Sequence, residues 1–132
     1  MIGIFTDITI ITNNSTVCDK LYKTSVIFVD GSYLDVLYAA RDRVHKGSRL
    51  ISHPLMGSVK PNETPYRSII IDNRTGALDI DSLLLIEDSI ESCRKFLRDR
   101  KTPLWGEKIL EDFRFLDLKF IESALSSMAI NY

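Results

Sequence analysis

Cysteine is scarce in this sequence: Cys18 and Cys93 are the only two, and neither belongs to a C-x-x-C pair. That leaves no basis for a disulfide framework or a cysteine zinc site, and both residues read as reduced, mostly buried thiols. Charge of one sign is also lacking, with 17 basic against 18 acidic residues and a net charge of -1. No overall field exists to hold a polyanion, which argues against nucleic acid as a partner. Nor is there a long apolar run with a basic flank. The N-terminal MIGIFTDITIIT carries Asp7 and soon gives way to polar residues, so it reads as neither signal peptide nor membrane span, and the chain is expected to be cytoplasmic. The G-x-x-x-x-G-K-[ST] and G-x-G-x-x-G spacings are absent, and Ser52, Ser58 and Ser68 sit in no nucleophile elbow. His53 and Glu63 are too scattered to make a metal site, so neither metal nor cofactor is expected.

What is present suits a core. The 132 residues, 45% of them hydrophobic, fit one domain spanning residues 1–132. Residues 3–12, GIFTDITIIT, are rich in β-branched side chains and read as a central strand. The polar run from Thr12 to Thr16 stops it, and a short helix is expected over about 16–22. TSVIFVD at 24–30 predicts a second strand. Ser32 with Asp35 three residues on predicts a capped helix, whose apolar face is Tyr33, Leu37, Ala40 and Val44 and whose stop is Gly47. A short strand is expected over Arg49–Ser52 and a fourth over 67–72. The longest helix is expected from Asp79 to about Arg100, with Leu83, Ile86, Ile90, Cys93 and Leu97 as its buried stripe. In the tail, from Glu107 to about Ala129, Ile109, Phe113, Leu116, Phe120, Ala124 and Met128 share a helical face, with a break near 116 allowed by Asp117 as an internal N-cap. The element order predicts an α/β fold: a single Rossmann-like domain, a mainly parallel sheet of about four strands flanked by helices. The direction of the fourth strand stays open, because residues 53–66 are long enough for a crossover or for a simple return.

In such a sheet, ligands gather beyond the carboxyl ends of the strands. That edge would collect Thr12, Asn13 and Asn14 from the first loop, Gly31 and Ser32 from the second, and His53 from the third. Their hydroxyls, amides and free backbone N–H groups suit a small anionic ligand, and ordinary helix capping explains them equally well without one. His53 is the one weak catalytic candidate, since imidazole titrates near neutrality, but it has no identifiable nucleophile beside it. The loop HPLMGSVKPNETPYRS, residues 53–68, is the most unusual stretch. Pro54, Pro61 and Pro65 stiffen it into a shaped surface rather than a tether. Ser58, Lys60, Asn62, Glu63, Thr64, Tyr66 and Arg67 are its candidate partner-docking residues.

The run GSYLDVLYAARDRVHKGSRLISHPLMGSVKPNETPYRSIII, residues 31–71, resembles the GrdX family, as do Ile11 to Asn14 and Leu83 to Ile86. Ser15 departs from the pattern, where a proline is expected. The resemblance implies an accessory or regulatory role in the glycine, sarcosine and betaine reductase systems of amino-acid-fermenting anaerobes, with a reductase component as partner. It transfers no catalytic residue, so a non-enzymatic protein is the first expectation and a small-molecule binding domain or enzyme using His53 the alternative. Self-association is left open.

Overall fold

Six isoleucines and two threonines dominate the two strands on which the rest is built. The computed structural model describes residues 7–57 and 59–128. In chain order it forms β1 (Ile8–Thr12), α1 (Ser15–Lys20), β2 (Ser25–Phe28), α2 (Tyr33–His45), β3 (Ser68–Asp72), α3 (Ile80–Asp99) and α4 (Glu107–Ser127). All five residues of β1 and all five of β3 are buried, as β-branched runs covered on both faces should be. The outer strand β2 is mostly exposed. Residues 3–6 of the expected first strand, Ser58, and Ala129 at the expected end of the tail helix lie outside the described residues.

The sheet corrects the expectation of a four-stranded, mainly parallel, Rossmann-like layer. Among the described residues it has three strands in the order β2-β1-β3; β1 and β2 are parallel, and β1 and β3 antiparallel, with Thr12 opposite Ser68 and Ile8 opposite Asp72. The expected strand at 49–52 contributes a single antiparallel bridge, Leu50 to Ile71. Its ladder is interrupted by side chains. Ser52 Oγ accepts from Ile70 N (2.8 Å), Leu50 N donates to Ser82 Oγ (2.9 Å), and Arg49 N donates to Asp72 Oδ1 (2.8 Å). The chain therefore runs along one side of β3, folds back through residues 53–67 without a crossover helix, and re-enters reversed. A parallel return would need a crossover, and the proline-bearing segment supplies none.

Helices cover both faces. Ile11, Ile69 and Ile71 pack with α2 and α3, burying Val36, Leu37, Ala40, Val44, Ile86, Ile90 and Cys93. Ile8, Ile10 and Ile70 face the other way onto Val17, Leu21, Leu118, Ile121 and Leu125 of the α1 and α4 side. The alternation along β3 thus feeds two separate cores. The expected caps are in place: Ser32 and Asp35 form a capping box, and Asp79 Oδ2 accepts from Ser82 N. Gly47 has a φ of 115°, the left-handed conformation expected where α2 stops.

The tail helix departs from expectation. It is unbroken, and the buried side is Asp117, Leu118, Ile121 and Leu125, while Ile109 and Leu116 of the expected face are 43% and 39% exposed. Replacing Ile121 by Ala is expected to lower the unfolding free energy by about 2–5 kcal/mol. Replacing Leu116 should cost less than about 1 kcal/mol. Urea unfolding of the two variants checks the orientation of α4.

Candidate functional site

Because β3 runs against β1, the edge where β1 and β2 end is also where β3 begins. Three connections meet there: residues 13–14 after β1, residues 29–32 after β2, and residues 65–67 before β3. Asn13 joins all three. Its Nδ2 donates to Gly31 O (3.0 Å) and Pro65 O (2.8 Å), and its Oδ1 accepts from Arg67 N (2.9 Å). The amide's two donors and its carbonyl are all engaged.

Asn14 is equally committed. Its Oδ1 caps α1 by accepting from Thr16 N (3.1 Å), while Nδ2 donates to Arg114 O (2.9 Å) and to Asp117 Oδ2 (3.0 Å). Asp117 is 4% exposed, and the same Oδ2 also accepts from Ser68 Oγ (2.7 Å). Thr12 Oγ1 lies 2.7 Å from Ser68 Oγ and accepts from Asn14 N (2.9 Å). A carboxylate only accepts, so the single Ser68 hydroxyl proton points to Asp117, and the Thr12 hydroxyl donates to Ser68. The result is a one-way relay, Asn14 N–H to Thr12 to Ser68 to Asp117, across β1, β3 and α4.

Arg67 enters from the other side and is 1% exposed. Its Nη1 donates to Met56 O (2.8 Å), and its guanidinium carbon lies 5.1 Å from the centre of the Tyr33 ring. Burial pushes the Tyr33 phenol up to about 12, against the opposing pull of Arg67. Arg67 and Asp117 line a cavity of about 10 Å³ between the loop residues Val59, Thr64 and Tyr66 and the α4 residues Phe113, Leu116 and Phe120. That volume accommodates one water and excludes any organic ligand.

Each residue singled out from the sequence can now be placed. Thr12, Asn13 and Asn14 gather as expected, with Gly31 joined to them through its carbonyl. Ser32 is exposed and engaged in its capping box with Asp35. His53 is exposed, and its Nδ1 accepts from Leu55 N (3.0 Å), a local turn contact. Of the loop, Asn62, Thr64 and Arg67 are buried, Glu63 and Tyr66 are half-buried, Lys60 is exposed, and Ser58 lies outside the described residues. Asn62 Nδ2 donates to Phe96 O (2.9 Å) and Arg100 O (3.2 Å), satisfying carbonyls at the end of α3. Glu63 O accepts from Trp105 Nε1 (2.7 Å), and the Tyr66 hydroxyl accepts from Arg114 Nη1 (2.8 Å), whose Nη2 pairs with Glu107. Gly57, at a φ of 98°, lets the loop close on α4: a Cβ there would come within 2.6 Å of Phe120 Cε2.

The sequence reading missed Ser68, Arg114 and, as the centre of the cluster, Asp117. The available signal was an acid between two leucines, Leu116-Asp117-Leu118, on a helix whose buried spacing is Leu118, Ile121 and Leu125. Two open clefts lie elsewhere. One, of about 490 Å³, is bounded by Arg49, Asp79, Ser82 and Met128, and the other, of about 650 Å³, by Lys20, Glu111, Phe115 and Lys119. Neither includes the residues expected to hold a ligand. Among the described residues, no group of three or more His, Cys, Asp and Glu could hold a metal ion, and no helix is long and apolar enough to cross a membrane.

Two outcomes follow from this arrangement. Asp117→Ala removes the acceptor shared by Asn14 and Ser68 and is expected to cost about 3 kcal/mol of stability by urea unfolding. At alkaline pH, burial holds the Cys93 thiol up at about 11 and the Tyr33 phenol at about 12, above their ordinary 9.0 and 10.0. The unfolded chain therefore loses these protons first, so the stability associated with both groups is intact below about pH 9 and declines through about pH 12. Thermal unfolding across that range measures the decline, which should shrink in Tyr33→Phe.

No curated protein and no solved structure matches the chain. The family model for GrdX-like proteins matches residues 9–126, a span from the second residue of β1 almost to the end of α4. That span takes in every element of the shared polar edge, and the chain belongs to the GrdX-like protein family.

Proposed function

We propose that this protein is a non-catalytic accessory component of the glycine reductase system, acting in the cytoplasm by docking to a reductase component through the surface built on the 53–67 loop. Family membership supplies the link to that system. The observation that carries the docking reading is the way the polar groups at the sheet edge are engaged within the protein or, like Tyr33 Oη, Arg67 Nε and Asp117 Oδ1, buried away from any ligand-sized space. Asn13, Asn14, Thr12 and Ser68 are saturated by bonds within the protein, and the cavity between Arg67 and Asp117 has room for no more than a water. A reaction needs groups that a substrate can reach. The loop, by contrast, is fastened at Asn62, Glu63 and Tyr66 and holds Lys60 outward, a preformed surface of the kind that binds without a large ordering cost.

The alternative, a small anionic ligand oriented by His53, has less support, since that imidazole is exposed and bonded to its own turn. Lys60→Glu should weaken binding to the partnering reductase component by about tenfold or more in a calorimetric titration. Its unfolding midpoint should stay close to that of the parent, because Lys60 is exposed. Undiminished binding of the variant, or no binding of the parent to any purified component, would refute the reading.

A further inference from the structure

Among the described residues, one apolar side chain is wholly outside the fold. Leu104 is 104% exposed, at the corner between α3 and α4. A scattered surface leucine is ordinary, but this one sits on a backbone that is held in place. Trp105 beside it donates Nε1 to Glu63 O (2.7 Å), its backbone N donates to Pro103 O (3.0 Å), and its ring packs at 5.8 Å on Phe113. Pro103 restricts the residue before it as well as its own φ. Leu104 is thus a projecting apolar group on a rigid support.

Its surroundings carry one dominant sign. Arg100 and Lys101 precede it, and both are exposed. The turn carrying exposed Lys60 is fastened to the same corner by Asn62, which bonds Phe96 O and Arg100 O. Lys60, Arg100 and Lys101 make no ion pair among the described residues. Glu63, the acid nearest this group in the loop, turns its Oε1 to Lys60 N (3.3 Å). Asp99 and Glu107 are also exposed at this corner, Glu107 being paired with Arg114, so Lys60, Arg100 and Lys101 leave it with an excess of positive charge that a net charge of -1 does not predict.

We propose that the α3–α4 corner is the specificity-determining part of the docking surface: Leu104 enters an apolar pocket on a partner protein whose rim presents carboxylates to Lys60, Arg100 and Lys101. The inference rests on the docking reading above and adds the chemistry of the partner. An anchor side chain within a ring of charge follows the usual division of an interface. The buried apolar group supplies most of the holding energy, and the rim charges set encounter rate and choice of partner. The charge complementarity selects an acidic protein surface.

The test titrates each purified protein component of glycine reductase with the full chain, Leu104→Ser and Lys101→Glu, at low and high salt. The expected result is binding of the parent to one component, weakened by about tenfold or more in Leu104→Ser mainly through faster dissociation. Lys101→Glu should slow association and flatten its salt dependence. All three proteins should melt alike, since both side chains are exposed. Binding that is indifferent to Leu104→Ser, or binding that strengthens with salt, overturns the corner while leaving the docking reading intact. Binding to no component overturns both.

Discussion

A buried carboxylate constrains this fold more than any single apolar contact. Asp117 sits in the middle of α4 on its inward side, where an unpaired charge would cost several kcal/mol. The protein meets that requirement at Oδ2 with Asn14 and Ser68, and behind Ser68 with Thr12, while Oδ1 is buried with no hydrogen-bond partner among the described residues. Those donors come from the end of β1 and the start of β3, so the carboxylate fixes where the two strands stand relative to α4. The position of β3 follows from the same need. Only an antiparallel β3 brings its first residue, Ser68, level with Thr12, and the pairing register does so.

The long loop is the second half of that constraint. Arg67 must arrive at the sheet edge with its guanidinium inward, between Met56 O and the Tyr33 ring. Asn13 fixes its backbone by accepting from Arg67 N. Once Arg67 is anchored, the preceding residues have only the outside of α3 and α4 to follow. Asn62, Glu63 and Tyr66 each find a partner there. The three prolines restrict the chain without supplying those bonds, and the polar residues between them supply what the prolines cannot.

Much of the framework was legible because it rests on local chemistry. The capping box at Ser32, the cap at Asp79, the left-handed stop at Gly47 and the buried run from Ile8 to Thr12 all follow from rules that operate within a few residues. The gathering of Thr12, Asn13 and Asn14 was legible for the same reason. What failed was non-local. The direction of β3 depends on whether residues 53–67 cross over or return, and their composition permits both. The buried side of α4 differs from the expected one because Asp117, expected as an internal N-cap, instead turns inward on an unbroken helix. Arg67, a docking candidate from the sequence, is buried at 1% exposure. Its burial depends on Tyr33 and Met56, and nothing in its sequence neighbourhood announces them.

Magnitudes explain why a small protein keeps so long a connection. Doubling the length of a loop adds only about 0.6 kcal/mol to the cost of closing it. Each net hydrogen bond returns about 0.5–1.5 kcal/mol, and more where a charged group takes part. A minimal turn between residue 52 and β3 would be cheaper to close but could reach neither the carbonyls ending α3 nor Trp105. The connection as built reaches both, and also Tyr33 and Arg114, so its length is offset by anchors on three helices and the corner between two of them. A segment tied down so fully has little freedom to open and close over a substrate, and it is well suited to holding a surface in one shape.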